Sequence, residues 1–463
     1  MLPTKIVVIG AGSASFGLNT VAALLGSARL RGSQLLLVDR NPETLGLMHA
    51  LAIRLNREWA AEMSLGACTQ VADALPGAHF VVSAIEVPPR ERLWRQDYEI
   101  PLRHGVRQPY SENGGPGGFA HAARTIGPVL EIVQAMEAAC PDAWFINYSN
   151  PMVRICDAIH RYSKIRAVGL CHQIYAGYGL VGYLLSDRLG FDLEAFLAQE
   201  ESTGAAKLPL GKIGRAVAPL IDIKAAGLNH FTWMLDVRDR RTGEDLYPLV
   251  AERWAQAPAS FQPLTWRVYR AFGLMPIPAD GHLCEYLPWL TNPATRPWEK
   301  YDIHLYDWDE AERRRDRGLA DIALMGKGEQ AIDRLRSADS EGALEMIESI
   351  AGAGNHYHLA LNLPNRGYIT NLPPEGIVEV PGVVSGAGPQ DLAVGSLPEP
   401  VAELLRREMA VGRLAVDAAV SGDRQAALQC LLLDPVIGDL DLAQEILDDY
   451  LETYRQYLPA FWH

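Results

Sequence analysis

The chain has few cysteines, a deficit of basic residues and no long apolar run. Its 463 residues include six scattered cysteines without paired spacing, so we expect reduced thiols and a cytoplasmic protein, not a disulfide framework. Lys and Arg number 42 against 56 Asp and Glu, a balance that disfavours nucleic acid or an anionic membrane as partner. No apolar stretch approaches the ~20 residues that cross a bilayer. The first residues, MLPTKIVVIGAG, are typical of a first strand and not of a signal peptide.

The composition is that of an ordinary globular protein, with 48% apolar and 21% charged residues. A chain of this length is large enough for two or three domains, or for one enzyme with two lobes.

In the first half of the chain, short apolar strands alternate with helices. The pattern predicts strands at 5–10, 34–39, 79–85, 143–149 and 166–171, and helices at 16–26, 42–61, 119–140 and 151–163. Continuous apolar strands joined by helices indicate a parallel sheet that is buried on both faces. We therefore predict an α/β fold with a doubly wound, Rossmann-like sheet, similar to that of lactate and malate dehydrogenases.

The second half is less regular and predicts an α+β unit for substrate binding and oligomerisation. Its pattern predicts a strand and turn at 225–239, a loop with short strands at 363–389, and helices at 247–271, 309–326, 341–351, 398–421 and 440–457. We place the domain boundary so that residues 1–195 bind a dinucleotide and residues 196–463 form the second domain.

A glycine-rich turn follows the first predicted strand in VIGAGSASFG. Gly10 and Gly12 precede a helix, Ser15 stands where a third glycine is usual, and Asp39 ends the second strand. Such a turn lets the backbone, including Ser13, approach a pyrophosphate at a helix N-terminus, and an acidic residue at a strand end accepts hydrogen bonds from ribose. This pattern favours NAD over NADP, although a plain glycine turn with an ordinary strand-end aspartate is the alternative.

A cysteine and a histidine, Cys171 and His172, directly follow the strand at 166–171. Ligands bind at this edge of an open α/β sheet. With His230 further along the chain, Cys171 supplies half of a metal site with positions open for substrate oxygens. Each residue taken alone is more often a buried core residue.

Seven segments occur in a characteristic order, and together they resemble glycoside hydrolase family 4. They are GAGSASF, ENGGPGGFAHAARTI, NYSNPM, GLCHQI, GLNHFTW, DGHLCEYLPW and NLPNRGYITNLPPEGIVEVP. This family uses NAD and a divalent metal and departs from the usual two-carboxylate glycosidase mechanism.

The resemblance implies roles for four residues near the predicted strand ends. Cys171 and His230 match the family's metal ligands, usually for manganese. His172 matches the residue near the leaving-group oxygen and is the candidate acid. Asn150 matches an asparagine that contacts the sugar and the nicotinamide.

The resemblance also implies a proton-abstracting base, for which we predict Asp280, with Tyr286 as the alternative. Glu112 and Asn113, in the glycine-rich segment 111–118, are expected to bind the sugar, unless this segment is only a tight turn. His282 is expected to contact the sugar or to support Asp280, with a polar surface residue as the alternative.

The implied reaction is hydride removal at C3 of the sugar, deprotonation at C2, elimination at C1, water addition and re-reduction. The phosphoglycosidases of the family carry an arginine where this chain has Trp94, and a glutamate where it has Tyr98. We therefore expect a non-phosphorylated hexoside or hexuronide, α-linked. The family resemblance also implies a homodimer or homotetramer. The alternatives are a hydroxyacid dehydrogenase and a nucleotide-sensing module without chemistry.

Overall fold

The computed structural model describes residues 3–201 and 208–462. These residues build one twelve-stranded mixed sheet. Its strands are β1 (Lys5–Ile9), β2 (Gln34–Val38), β3 (Ser64–Cys68), β4 (Phe80–Ser83), β5 (Trp144–Asn147), β6 (Arg166–Gly169), β7 (Ile221–Leu228), β8 (Phe231–Asp239), β9 (Met275–Pro276), β10 (His356–Pro364), β11 (Ile377–Ser385) and β12 (Gly388–Asp391).

The helices flank this sheet and cover its edges. They are α1 (Phe16–Gly26), α2 (Pro42–Glu58), α3 (Val71–Ala74), α4 (Arg90–Arg103), α5 (Gly115–Ala139), α6 (Met152–Tyr162), α7 (Ile174–Leu184), α8 (Ser186–Leu189), α9 (Leu193–Glu201), α10 (Leu210–Val217), α11 (Tyr247–Gln256), α12 (Pro263–Phe272), α13 (Asp280–Leu283), α14 (Pro297–Lys300), α15 (Trp308–Lys327), α16 (Ala343–Gly352), α17 (Glu399–Ser421), α18 (Arg424–Leu433) and α19 (Leu440–Thr453).

The first six strands form a parallel sheet in the order β3-β2-β1-β4-β5-β6. Successive residues of β1 face opposite sides. Ile6 and Val8 pack with α1, α2, α15 and α16 on one face, whereas Val7 and Ile9 pack with α5 and α6 on the other. Both faces are therefore buried, and the predicted doubly wound Rossmann-like fold is confirmed.

The strands of the second half continue the same sheet. β10 joins β6 through the pair Asn362–Gly169, and β11 joins β7 through the pair Glu379–Gly227. β10 and β11, like β7 and β8, are antiparallel. Because the sheet runs through both halves, the predicted boundary near residue 195 separates sequence regions that share one sheet, and it stays a prediction.

Two segments of the second half differ from the sequence-based expectation. The single helix expected at 247–271 is two helices, α11 and α12. Gln262 adopts a left-handed backbone with φ of 47° and Pro263 begins α12, so the helix cannot continue through this point. The loop expected at 363–389 contains the nine-residue strand β11.

Two further predictions concern membrane-spanning helices and disulfide bonds. In the described part of the chain, no helix is long and apolar enough to span a membrane. The six cysteines are free thiols, as the lack of paired spacing predicts.

Candidate active site

The predicted site residues gather at the carboxyl ends of the parallel strands. Loops after β1, β5 and β6 meet the turn between β7 and β8 at this edge of the sheet. The ring of Phe16, the first residue of α1, lies 6.2 Å from the ring of His172. The glycine turn and the Cys-His segment therefore face one another across a short gap.

The glycine turn after β1 is tightly packed. Gly10 has φ of +79°, and a Cβ there would lie 2.3 Å from the Ala84 carbonyl oxygen. A Cβ on Gly12 would lie 2.3 Å from the Thr44 hydroxyl. Asp39 accepts a 2.9 Å hydrogen bond from the Gly12 N–H, so this carboxylate holds the turn in addition to any ribose contact.

Helix α1 begins beside this turn without a side-chain cap from its N-cap residue Ser15. The Ser13 hydroxyl accepts a 3.3 Å hydrogen bond from the Ser15 N–H. A Cβ on Gly17 would lie 2.3 Å from the Ala11 carbonyl oxygen. Gly17 thus provides the close helix-strand packing of a third glycine, two residues later than expected. An uncapped helix N-terminus beside a glycine turn fits a pyrophosphate.

Cys171 and His230 come together although 59 residues separate them. The Cys171 Sγ lies 3.6 Å from the His230 Nε2. Metal–sulfur and metal–nitrogen bonds of about 2.3 and 2.0–2.1 Å allow this separation for two ligands of one ion. His230 has φ of 63° at the turn between β7 and β8, which aims its ring at the end of β6.

The surroundings of this pair fit a divalent cation. Burial raises the pKa of the Cys171 thiol well above its ordinary value, and Glu341 and Glu379 add to this effect. Burial lowers the pKa of His230, and His282 and His172 act in the same direction. The imidazole is therefore neutral, as a ligand must be, and a cation between the two groups would offset the cost of a buried thiolate.

His282 stacks on His230 with ring centroids 4.5 Å apart and planes at 1°. Potential ligand atoms of Glu112, His230 and His282 lie within 4.8 Å of one another. A metal binds an imidazole in the plane of its ring, and two parallel stacked planes do not meet at one ion. In this arrangement His282 packs against His230 and would not share an ion with it.

A polar network connects the glycine-rich segment to the histidines. Asn150 donates a 2.8 Å hydrogen bond to Glu112, and His282 Nδ1 lies 2.9 Å from Glu285. Burial would lower the pKa of His282, but the hydrogen bond and charge of Glu285 and the charge of Glu112 outweigh it and raise the pKa. Glu285 also accepts from the N–H groups of Glu112 and Asn113. The predicted sugar-binding residues therefore lie beside the Cys171–His230 pair.

His172 is held by a carboxylate that the sequence analysis missed. Its Nδ1 lies 2.6 Å from Glu341, whose side chain is 10% exposed whereas that of His172 is 45% exposed. Burial would lower the pKa of His172, but the charge and hydrogen bond of Glu341 raise it. A raised pKa favours the protonated imidazole, and a partly exposed histidine held in this way suits proton donation.

Asp280, the predicted base, is buried and caps helix α12. Its carboxylate accepts hydrogen bonds from the N–H groups of Leu264 at 3.1 Å and Thr265 at 2.8 Å, and from the Thr265 hydroxyl at 2.6 Å. Burial raises its pKa, although these hydrogen bonds oppose the shift. Tyr286, the alternative, packs its ring 4.6 Å from that of Phe231. Both oxygens of Asp280 thus serve α12, and its role as a base stays a prediction.

Trp94 lies in an aromatic cluster next to this network. It donates a 2.8 Å hydrogen bond to the Tyr110 carbonyl, and its ring stacks on Tyr306 and contacts His121. Trp94 is buried among these rings, and the Arg90 guanidinium lies 5.0 Å from its ring.

Sequence reasoning also missed Glu379, which is 1% exposed. It accepts hydrogen bonds from Asn229 at 2.6 Å, Thr232 at 2.8 Å and Asn362 at 3.0 Å. It therefore fixes the turn that carries His230. Glu379 belongs to the quoted segment that ends in GIVEVP, but its hydrogen-bond partners lie far away in the sequence and could not be predicted from it.

The chain matches the models of a known protein family over most of its length. Residues 5–182 match the model of family 4 glycosyl hydrolases, and residues 225–437 match the model of the family's C-terminal domain. An alpha-glucosidase of Erwinia rhapontici is 30% identical, covering 99% of both chains. An alpha-galactosidase of Rhizobium meliloti is 28% identical, covering 100% of this chain and 91% of the other.

Solved structures share the fold. Bacillus subtilis lplD superposes with a TM-score of 0.83 at 24% identity, covering 97% of this chain and all of the other. A 6-phospho-alpha-glucosidase from gut microorganisms, in complex with NAD and Mn²⁺, superposes with a TM-score of 0.79 at 22% identity, covering 99% of both chains.

Proposed function

The chain belongs to family 4 of the glycosyl hydrolases, and from that premise we propose that it hydrolyses a non-phosphorylated, α-linked hexoside or hexuronide with NAD and Mn²⁺ or another divalent metal. Relatives that are named alpha-glucosidase, alpha-galactosidase and alpha-galacturonidase align with 98% or more of the chain, which supports α-linked sugars. Membership of this family disfavours the dehydrogenase alternative.

The observation that carries the proposal is the Cys171–His230 pair, 3.6 Å apart at the sheet edge, with His172 beside it. When bound, NAD would supply reversible hydride removal at C3 of the sugar, without net redox change, and the metal would polarise the C2 and C3 oxygens. Cys171 and His230 would hold the metal. Gly10, Gly12, Ser13 and Asp39 would hold the dinucleotide.

The remaining residues would position the sugar and move protons. Asn150, Glu112, Asn113 and His282 would bind sugar hydroxyls in the network that Glu285 organises.

Asp280 would take the C2 proton, or Tyr286 in its place, and the C1–O bond then breaks by elimination. His172 would give a proton to the departing oxygen, and water then adds at C1 while C2 regains a proton.

The presence of Trp94 favours a substrate without a phosphate group. Its indole is 6% exposed and occupies the place of the phosphoglycosidase arginine in the resemblance. A 6-phosphate would meet a packed aromatic cluster there in place of that arginine side chain.

We also propose a domain organisation, an oligomeric state and a cellular location for the protein. Residues 1–195 would bind the dinucleotide and residues 196–463 would complete the sugar site and mediate assembly into a homodimer or homotetramer, in the cytoplasm. Light scattering on the purified protein measures the assembly.

A panel of 4-nitrophenyl glycosides, uronides and 6-phosphates, assayed with NAD and Mn²⁺, tests the function. We expect release of nitrophenol from an α-hexoside or α-hexuronide, loss of activity with a chelator and recovery with Mn²⁺. In deuterated water the product should carry deuterium at C2. Steady accumulation of NADH, or a product without deuterium at C2, would contradict the proposed mechanism.

The Cys171→Ser variant tests the metal site directly. We expect it to bind Mn²⁺ at least about 10-fold more weakly, measured by titration calorimetry, with an unchanged melting temperature. The matched control is Cys68→Ser, a half-buried cysteine at the end of β3. Full Mn²⁺ affinity in Cys171→Ser would remove this thiol from the site.

A further inference from the structure

A small cavity adjoins the candidate site beneath the glycine-rich segment. Its walls include Asn113, Arg154, Asn229, Tyr286 and Glu408. Asn113 lies in that segment, and Asn229 precedes the candidate metal ligand His230. We call this cavity the Arg154 pocket.

Four side chains of the Arg154 pocket are buried with polar atoms that lack hydrogen-bond partners among the described residues. Asn113, Arg154, Asn229 and Glu408 are 6%, 3%, 2% and 5% exposed. The unpaired donors are Asn113 Nδ2 and both terminal nitrogens of Arg154, and the unpaired acceptors are Asn229 Oδ1 and Glu408 Oε1. Buried polar atoms are normally paired, so this set of donors and acceptors points to a ligand group that both donates and accepts. A hydroxyl group does both.

The size of the Arg154 pocket limits what enters it. Its volume is about 20 Å³, and one water needs about 10–15 Å³ on this scale. The pocket therefore has room for one hydroxyl oxygen. A carboxylate brings a second oxygen and a sugar phosphate brings three terminal oxygens, which is more than this volume holds unless the walls move.

The pairing of donors and acceptors in the pocket also disfavours an anion. The Arg154 guanidinium lies 4.0 Å from the Glu408 carboxylate. Asp434 lies close enough to interact with both of them. Arg407 also lies close enough to interact with both carboxyl groups. A sugar carboxylate only accepts hydrogen bonds, so it would leave the unpaired Asn229 oxygen of this pocket without a donor.

We propose that the Arg154 pocket receives a neutral hydroxyl or hydroxymethyl group of the glycone, and that the enzyme therefore prefers neutral hexosides to hexuronides and 6-phosphohexosides. This inference rests on the proposed glycosidase function and narrows its substrate class. Arg154 and Glu408 would determine specificity together. Arg154 would donate a hydrogen bond to the sugar hydroxyl, and Glu408 would accept one from it.

The test compares 4-nitrophenyl α-glucoside and α-galactoside with their 4-deoxy and 6-deoxy analogues and with the α-galacturonide. For the wild type with NAD and Mn²⁺, we expect kcat/KM to be at least about 10-fold higher for the neutral hexoside than for the uronide. For one of the deoxy analogues, kcat/KM should be about 10-fold or more lower than for the parent hexoside, because buried polar groups of the pocket stay unpaired.

Variants then connect that hydroxyl to the pocket. Glu408→Gln and Arg154→Met should lower kcat/KM for the hexoside about 10-fold and leave the sensitive deoxy analogue unchanged. Glu408→Gln keeps the size of the side chain, so it serves even where Arg154→Met fails to fold. Arg161→Met, on the same helix α6 but paired with Asp157 and Asp417, is the control and should match the wild type.

The possible contrary results distinguish the pocket inference from the proposed glycosidase function. Preferential hydrolysis of the uronide would overturn the inference and leave the glycosidase function standing. A deoxy penalty that persists in Glu408→Gln would show that the pocket holds water or only an ion network, which also overturns it. No turnover of any glycoside by the wild type would overturn the proposed function itself.

Discussion

At the residue scale, the orientation of His172 depends on a partner 169 positions away. Glu341 has a left-handed backbone with φ of 56°, an unfavourable conformation for a residue with a Cβ. Its N–H donates a 2.8 Å hydrogen bond to Asp339, which pairs with Arg215. The turn is therefore held from several sides with the Glu341 carboxylate aimed at His172.

We predict that Glu341→Gln impairs proton delivery more than it impairs binding. The loss in kcat/KM should be roughly 10- to 100-fold larger for a methyl glycoside than for a 4-nitrophenyl glycoside, because nitrophenolate departs without a proton. Steady-state kinetics on the two substrates measure the difference.

The control for this variant is Glu348→Gln, an acidic residue of α16 that bonds to Ser27 outside the site. It should behave as the wild type on both substrates. Equal losses on the two substrates in Glu341→Gln would indicate a purely structural role for Glu341.

At the scale of elements, α12 and α13 share one carboxylate. Asp280 begins α13, and its side chain caps the N-terminus of α12 through Leu264 and Thr265. A buried cap of this kind stabilises the helix that it closes. The same aspartate is the predicted base, so its structural and chemical roles need separate measurements.

Two substitutions separate these roles. We predict that Asp280→Ala lowers the free energy of unfolding by about 1–2 kcal/mol, measured by urea denaturation. Asp280→Asn keeps one of the two acceptor oxygens, so it should lose less stability than Asp280→Ala while losing on the order of 10²-fold or more in kcat.

Thr265→Val is the matched control, since it removes only the hydroxyl bond to Asp280. It should cost about 1 kcal/mol of stability and leave most of the activity. An active Asp280→Asn would restrict Asp280 to capping and leave Tyr286 as the candidate base.

At the scale of the whole molecule, several carboxyl groups are buried and hold protons more tightly than usual. Burial raises the pKa of Asp97, Asp157, Glu379 and Asp391. For Asp391 the value reaches about 8. Neither carboxylate oxygen of Asp391 has a hydrogen-bond partner within residues 3–201 and 208–462.

A raised folded pKa sets the sign of the pH dependence. The unfolded chain loses the Asp391 proton near the ordinary value, whereas the folded chain keeps it until about pH 8. Stability is therefore full below the unfolded pKa and is lost as pH rises through the folded pKa, by at most about 1.4 kcal/mol per pH unit. We predict a lower melting temperature at pH 8.5 than at pH 5.5.

Asp391→Asn tests this assignment because the amide does not ionise. Its melting temperature should fall less than that of the wild type between the two pH values. The exposed residue Asp448 supplies the control, and Asp448→Asn should follow the wild type. Parallel curves for all three proteins would show that Asp391 does not cause the pH dependence.

The sequence by itself determined most strands and helices of the first half, the glycine turn and the edge of the sheet where the site lies, but β3, α4 and α7 were missed. These features depend on local spacing, because period-two or continuous apolar runs and turn residues act over a few positions. The family resemblance added candidate roles for Cys171, His172, His230 and Asp280. The break between α11 and α12 was missed although Pro258 and Pro263 mark it in the sequence.

Only the tertiary structure decided which side chains meet. It placed Cys171 beside His230, held His172 with Glu341, engaged Asp280 in capping α12 and enclosed Arg154 with Glu408. These contacts join residues 15 to 254 positions apart. Their geometry depends on how the sheet and its helices pack, and packing is a property of the whole fold that no local pattern records.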